Sequence, residues 1–302
     1  MPSPHTTEPP TGQMDAPAGI LVGTCSWTDP ALVSSGWYPP GHRDAEGRLR
    51  HYASRFSVVE TDSTYYALPS ARNSRLWVER TPEGFTFDVK AFAPFTGHPV
   101  RARALPPELR PPVPPHTLIR ADELPGDTTH ELWRRFRSGV EPLRAAGRLT
   151  SVLCQFPPWL APGPRAYDLI ERCRENAGVP ISAEFRNPGW FSETQLPNTL
   201  AHLTRRDIPW VAVDAPGLPP AAHATSSRLS VIRFHGRSPS WGTGSKEARY
   251  RYRYGPDELE PWVPRIRALA RHTARVHVLF NNCCADAAVR AAETMSALLA
   301  AV

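Results

Sequence analysis

A short β-branched run, Val58-Val59, is followed directly by groups that can do chemistry. The run is typical of a buried strand, and the residues after it include Glu60, Asp62, Tyr65 and Tyr66. A carboxylate is costly to remove from water, so one at the end of an apolar strand normally has a partner or a task. We therefore expect Glu60 and Asp62 to be paired or functional.

Three later apolar runs also end in charged side chains. Glu184 and Arg186 end the run at 180–186, and their two-residue spacing places them on one face of a strand. Asp214 ends a second run, and the third carries Arg233 and His235. If these strands share one edge, carboxylates and cations converge there.

This set of residues fits three kinds of site. The first is metal-free acid/base catalysis of a polar substrate, with arginines holding an anionic group. The second is a divalent metal site of the kind found in sugar isomerases and endonuclease IV-like barrels. The third is a binding pocket without catalysis. We favour the first kind of site. Metal sites of the endonuclease kind use several histidines, and only one histidine lies securely at a strand end. The candidate catalytic residues, which are also the candidate metal ligands of the second reading, are Glu60, Glu184, Asp214 and His235.

Side chains that could bind the ligand lie at the same strand ends and in the loops beside them. Aromatic rings there could stack on a sugar or a base, or could simply pack against the protein. Asparagines could orient a ligand or cap a helix. The candidate binding residues are Trp27, Asp62, Tyr65, Tyr66, Lys90, Gln155, Arg186, Arg233, Arg237, Asn281 and Asn282.

The elements that must position these residues alternate along the chain. Eight apolar runs are nearly all separated by segments with helical spacing, which indicates right-handed βα units and a parallel sheet. The runs are 20–25, the stretch from 57, 84–90, 149–156, 180–186, 209–214, 229–236 and 275–281. An eight-stranded closed barrel places functional residues at the carboxyl ends of its strands. We therefore predict a TIM-type (β/α)8 barrel as a single domain over 19–302. An open doubly wound sheet is the alternative, but no phosphate-loop motif supports it.

Two segments do not fit the alternation. Residues 1–18 are rich in Pro and Thr and lack the pattern of a secretory signal, so they are predicted to be a disordered tail. Residues 94–127 are crowded with prolines, which predicts a long irregular excursion after the third strand. The excursion could cover a site or could be an insertion without that role.

The composition predicts a cytoplasmic protein that does not enter a membrane. No apolar run approaches the roughly 20 residues needed for a membrane span. The five cysteines form no CxxC motif, and they are expected to be reduced thiols, although the adjacent pair at 283–284 could be a redox or metal feature.

The chain is basic, but its charge does not require a nucleic-acid partner. The net charge is +6 and the pI is about 9.3. The basic residues are spread over the whole chain, so a solvated surface explains them, and nucleic acid is an alternative partner to the favoured small polar or anionic ligand. Of the 35 basic residues only Lys90 and Lys246 are lysines. Retention of Lys90 at a strand end therefore indicates a need for a compact ammonium group.

An ordered series of motifs resembles a known family. In chain order the motifs are GTCSWTDP, WYPP, YASRFSVVETDSTYYALPS, FTFDVK, LCQFPPWL, SAEFRNPGW, IRFHGR and FNNC. They resemble the YecE-like family, domain-of-unknown-function family 72, from about Gly23 to the C-terminal helix. The resemblance implies a TIM-type barrel. It implies no particular reaction, because none is established for the family. The sequence departs from the family where Asp62 replaces a common Asn and Cys25 a common Ser, and around His98.

Overall fold

A computed structural model describes residues 19–241, 243–282 and 284–301. The predicted disordered tail at 1–18 and Cys283 of the cysteine pair lie outside these residues. The strands of the described chain, in order, are β1 Ile20–Thr24, β2 Val58–Thr61, β3 Thr86–Lys90, β4 Val100–Arg101, β5 Leu118–Ile119, β6 Leu149–Phe156, β7 Ile181–Phe185, β8 Val211–Asp214, β9 Leu229–Phe234 and β10 Arg275–Phe280.

Helices connect most of these strands on the outside of the sheet. The α-helices are α1 Pro30–Ser34, α2 Ala45–Arg55, α3 Ala71–Glu79, α4 Gly126–Ala145, α5 Pro164–Ala177, α6 Leu196–Arg205, α7 Lys246–Tyr250, α8 Pro256–Leu259, α9 Val263–Ala270 and α10 Ala287–Ala300. The predicted helix over 256–272 is divided by a 3-10 turn at Glu260–Trp262, because Pro261 and Pro264 cannot donate the backbone bonds of a continuous helix. The loop at 215–228 joins β8 to β9 without a helix.

The eight long strands are parallel and curl into a nearly closed barrel. Their order is β7-β6-β3-β2-β1-β10-β9-β8. A single parallel bridge between Ala183 and Trp210 joins the two edges, and the Ala183 amide donates to the carbonyl of Pro209 at 2.9 Å. The predicted barrel is thereby confirmed.

Side chains inside the barrel change from apolar to polar toward the carboxyl ends of the strands. Alternate residues of a strand face the same side. On the face that points into the barrel, Val58 is therefore followed by Glu60, and Val231 is followed by Arg233. The apolar interior cluster is formed by Cys25, Val58, Leu153, Val211, Val213, Leu229, Val231 and Leu279. It forms a floor beneath the polar mouth.

The proline-rich excursion after β3 is mostly irregular. It contains short 3-10 turns and one small antiparallel pair, β4 with β5, in which Val100 is opposite Ile119. Ile119 and Leu105 are buried against the main core, so the excursion is packed on the barrel. None of the helices in the described part of the chain is long and apolar enough to cross a membrane.

Candidate functional site

Arg233 lies at the centre of the barrel mouth and bridges two carboxylates. Its Nε and Nη2 donate to the two oxygens of Glu60 at 2.8 and 2.7 Å. Its Nη1 donates to Oε2 of Glu184 at 2.5 Å. All three side chains are 0% exposed. The guanidinium therefore ties β2, β7 and β9 together inside the barrel, where charge-assisted bonds are strong.

The two carboxylates differ in electrostatic environment. Burial acts to raise the pKa of Glu184, but Arg186 and Arg233 outweigh it and hold that pKa well below its usual range. Burial is also the largest influence on Glu60, and it raises the pKa of that carboxyl against the opposing effect of Arg233 and Lys90. Glu184 is thus ionised at neutral pH, and Glu60 takes up a proton more readily than Glu184.

Arg186 lies between Glu184 and the solvent. Its Nε donates to Oε1 of Glu184, and its Nη2 donates to Nε2 of His235 at 2.9 Å. The guanidinium also lies over the ring of Trp241, 5.0 Å from its centroid. The Arg186 side chain is 9% exposed, whereas Glu184 is fully buried. Arg186 is therefore more accessible to solvent than the two residues that it adjoins, Glu184 and His235.

His235 is neutral and orients Arg186. Burial, and next the charge of Arg186, hold the pKa of His235 well below its usual range. A neutral imidazole has one N–H, and its Nε2 accepts from Arg186, so the proton is on Nδ1. Nδ2 of Asn281 lies 3.0 Å from Nδ1, and a half-turn of this amide, which exchanges its oxygen and nitrogen, makes it the acceptor of the Nδ1 proton.

Lys90 lies at the end of β3, the strand between β6 and the strand β2 that carries Glu60. Its Nζ donates to Oε1 of Gln155 at 2.9 Å and lies 4.6 Å from the centroid of the Tyr65 ring. Burial, and next the charge of Arg233, lower the pKa of Lys90 to about 8. The side chain is partly exposed. Lys90, Gln155 and Tyr65 thus form a second cluster beside the carboxylates.

Three aromatic residues near the mouth were not among the site residues predicted from the sequence. Trp241 lies over His235, with ring centroids 5.4 Å apart. His98 has its ring 5.4 Å from Tyr65 and 5.5 Å from Trp159. These residues are in loops, where no periodic pattern signals their direction. The segment FTGH at 95–98, a few residues after β3, was the signal available for His98.

The excursion forms one wall of a groove beside the mouth. The groove has a volume of about 1030 Å³ and also contacts α5. Trp159, which is 63% exposed, lines this groove and contacts His98. Arg165 and Arg172 of α5 line it as well. The excursion therefore adjoins the mouth through His98.

Asp214 belongs to a separate cluster. Arg237 donates to its two oxygens at 2.9 and 2.7 Å. The Tyr254 hydroxyl donates to Oδ1 at 2.8 Å, and Nε1 of Trp262 donates to Oδ2 at 2.9 Å. Four donors nearly exhaust the acceptor capacity of one carboxylate. Asp214 and Arg237 thus hold the loop after β9 and have little capacity left for a substrate.

Several predicted binding residues are not in the central cluster. Trp27 is 6% exposed and packs edge-on against Trp77 of α3. Tyr66 is 56% exposed and contacts Tyr65. The side-chain amide of Asn282 donates to the Tyr252 carbonyl at 3.0 Å. Asp62 directly follows β2 and is partly exposed.

The four predicted metal ligands do not form a coordination shell. Arg233 occupies oxygens of both Glu60 and Glu184, and Asp214 is engaged by its own donors. Within 19–241, 243–282 and 284–301, no group of three His, Cys, Asp or Glu side chains is arranged to hold a metal ion.

A further polar layer lies deeper in the barrel. Asp88 of β3 is 2.7 Å from Nδ1 of His277 of β10 and accepts a bond from Ser151 at 3.1 Å. Ser151 in turn lies 3.2 Å from Ser182. All four side chains are buried. This layer links strands across the interior beneath the mouth.

The fold and the site define a (β/α)8 barrel with a buried arginine–carboxylate cluster at its mouth. Residues 21–302 match the family described as "Protein of unknown function DUF72", and the chain belongs to that family. It is 32% identical over 275 residues to the UPF0759 protein YunF of Bacillus subtilis, a match that covers 87% of this chain and 88% of that one.

Solved structures of the same family have the same fold. A DUF72 family protein of Enterococcus faecalis superposes with a TM-score of 0.74 at 22% identity, covering 93% of this chain and 95% of that chain. A DUF72 family protein of Thermotoga maritima superposes with a TM-score of 0.72 at 27% identity, covering 93% of this chain and 99% of that chain. The family resemblance of the motifs is thereby confirmed.

Proposed function

We propose that this protein is an enzyme that binds a small anionic, sugar- or phosphate-containing substrate at the barrel mouth and transfers protons with its buried carboxylates. The observation that carries the proposal is the bridge from Glu60 through Arg233 to Glu184, with Arg186 and Lys90 on its solvent side. Two carboxylates whose pKa values are shifted in opposite directions are the usual arrangement of an acid/base pair.

Arg186 couples substrate binding to this pair. An anion that enters the mouth competes with Glu184 for the Arg186 guanidinium. As Arg186 turns toward the anion, Oε1 of Glu184 loses its donor and becomes a stronger proton acceptor. Glu60, whose pKa is raised by burial, is the member of the pair that holds a proton more readily. The substrate thus activates the base that acts on it.

The binding step is tested by thermal unfolding with inorganic phosphate, glucose 6-phosphate and glucose. We expect the two phosphates to raise the melting temperature, because a ligand that binds only the folded state stabilises it. Glucose should have a smaller effect. Arg186→Met should lose the response, whereas Arg275→Met, at the exposed start of β10, should retain it. An unchanged melting temperature of the wild-type protein in both phosphates would refute anion binding at the mouth.

The proton-transfer step is tested by NMR in D2O with a set of aldose and ketose phosphates. Abstraction of a proton next to a carbonyl exchanges it for deuterium, which removes the corresponding proton signal. We expect Glu184→Gln to abolish exchange and Asp214→Asn to retain it. Equal exchange by the wild-type protein and Glu184→Gln would remove Glu184 from the mechanism.

A further inference from the structure

Lys90 is placed for covalent chemistry as well as for charge. It stands at the carboxyl end of β3, and its partly exposed side chain ends in the mouth. Its Nζ donates to the neutral side-chain oxygen of Gln155 at 2.9 Å. A neutral partner leaves the nitrogen able to lose its proton, whereas a carboxylate at that position would hold the ammonium form.

The surroundings of Lys90 fix the direction of the amine. The Tyr65 ring lies 4.6 Å from Nζ and forms one wall, and the His98 ring packs against that ring at 5.4 Å. The hydroxyl of Thr64 donates to the Lys90 carbonyl at 2.6 Å, which fixes the backbone at the strand end. A lysine held in this way loses less side-chain entropy when it reacts.

Cations near Lys90 favour its neutral amine. Burial and the charge of Arg233 lower its pKa to about 8, so a much larger fraction of Lys90 than of an ordinary lysine is neutral at pH 7.4. Desolvation and neighbouring cations are established means of making a lysine nucleophilic. Arg186 also contributes to this lowering, and it is the group that the proposed function assigns to the substrate anion.

We propose that Lys90 is a nucleophile that forms an imine with the carbonyl carbon of an anionic aldehyde or ketone, whose anionic group binds Arg186. This inference rests on the proposed function, because it assigns the substrate class of the same mouth. The restricted Nζ, its neutral partner Gln155 and its place at a strand end of the same barrel mouth as Arg186 carry the inference.

The covalent step balances without a further reactant. The lone pair of neutral Nζ attacks the carbonyl carbon, and a proton moves from nitrogen to the carbonyl oxygen to give a carbinolamine. The C–O bond then breaks, the C=N bond forms, and the oxygen leaves as water with both amine protons. Glu60 and Glu184, the proposed acid/base pair, are the carboxylates whose charges act on Lys90. In this proposal they relay these protons.

The chain offers an unusually clear test, because Lys90 and Lys246 are its only lysines. The protein is incubated at pH 7.4 with glyceraldehyde 3-phosphate and sodium cyanoborohydride, which reduces an imine to a stable secondary amine. Intact mass and peptide mapping then locate the adduct. We expect Lys90 to be labelled roughly tenfold faster than Lys246 or more, because far less of an ordinary lysine is neutral at this pH.

Matched variants separate Lys90 from the other amines. Lys90→Arg, which keeps the positive charge, should lose the fast adduct, and Lys246→Arg should retain it. Peptide mapping of the wild-type protein gives the same answer without a substitution. Labelling of Lys90 no faster than Lys246, or only after denaturation, would overturn the inference.

The same experiment distinguishes failure of this inference from failure of the proposed function. Uncharged glyceraldehyde is run in parallel, and the phosphate form should label Lys90 faster in the wild-type protein but not in Arg186→Met. Stabilisation by phosphate without a Lys90 adduct would leave the proposed function standing and refute the imine. A Lys90 adduct that forms equally fast with both aldehydes would leave the nucleophile standing and refute anion binding by Arg186.

Discussion

Arg233 and Glu60 form a two-bond ion pair inside the barrel, although two strands lie between theirs in the sheet. The distances are 2.8 and 2.7 Å, and both side chains are fully buried. β1 and β10 separate β2 from β9, so the pair spans the interior rather than neighbouring strands. Loss of either member would leave a buried charge without its main partner.

Replacement of Arg233 by Met should destabilise the fold strongly. Met has a similar length, but the change leaves Glu60 and Glu184 buried without the guanidinium. Breaking a buried pair in this way costs about 3–5 kcal/mol. Urea unfolding at pH 7 measures the change in the free energy of unfolding. The deficit should shrink at acidic pH, where the carboxyl groups can become neutral, and a loss below about 1 kcal/mol at pH 7 would contradict the bridging role.

Asp214→Asn should reduce stability without affecting the chemistry at the mouth. The substitution removes the charge paired with Arg237 and turns one acceptor oxygen into a donor nitrogen. In either orientation of the amide, this nitrogen faces two donors, which are Arg237 and Tyr254 in one case and Arg237 and Trp262 in the other. We expect a loss of about 1–3 kcal/mol from the free energy of unfolding. Deuterium exchange by the folded variant, measured where it is fully native, should equal that of the wild-type protein. A catalytic Asp214, as the sequence suggested, would instead show lost exchange with little change in stability.

Gly23→Ala should disrupt the contact between β1 and β2. A Cβ at this position would lie 2.1 Å from the Val58 carbonyl oxygen and 3.0 Å from the Tyr52 hydroxyl. That hydroxyl itself bridges the strands, since it accepts from the Thr24 amide at 2.8 Å and donates to the Val58 carbonyl at 3.0 Å. We expect a loss of about 1–3 kcal/mol or more in urea unfolding.

The matched control for this glycine is Gly126→Ala in the first turn of α4. A Cβ there meets no atom within 4 Å. Alanine is also the better helix former, so stability should stay equal or rise by up to about 1 kcal/mol. Equal destabilisation by both substitutions would show that the close approach at Gly23 is not what makes it sensitive.

Lys90→Met should change how stability depends on pH. The pKa of Lys90 is lowered to about 8 in the folded protein from an ordinary value of 10.5, by burial, Arg233 and Arg186 against the opposing Glu60 and Glu184. The unfolded chain therefore binds more protons between these two pH values, and Lys90 makes the wild-type protein gain stability as pH rises through them.

The comparison of the two proteins isolates this effect. Urea unfolding at about pH 7 and about pH 10 gives the free energy of unfolding for each, and groups common to both cancel in the difference. We expect the free energy of unfolding of the wild-type protein, relative to that of Lys90→Met, to be larger at the higher pH. A difference that is independent of pH would mean that the pKa of Lys90 is not lowered by folding.

The strand ends could be identified from the sequence because they depend on local rules. A β-branched run that stops at a charge is visible in residues 58–60. Period-two alternation places Glu184 with Arg186, and Arg233 with His235, on one face of a strand. Eight such runs separated by helices leave few topologies. These features specified the barrel and the edge at which the central cluster forms.

The partners of these residues were decided by the tertiary structure. Glu184 pairs with the predicted neighbour Arg186 but also with Arg233, which simultaneously holds Glu60 from 173 residues away. The closure and stagger of the barrel determine which inward side chains meet, and neither is encoded in the period of any one strand.

The same limit explains why one predicted residue lies outside the central cluster and why a loop residue contacts it. Asp214 ends a strand just as Glu184 does, yet loop residues Arg237 and Tyr254 fold back to engage it. Trp241 reaches His235 from a loop whose path follows no repeating pattern. Sequence periodicity thus determined which side chains point into the barrel mouth. Loop paths and barrel closure, which depend on contacts far apart in the chain, determined which of these side chains bond to one another in the central cluster.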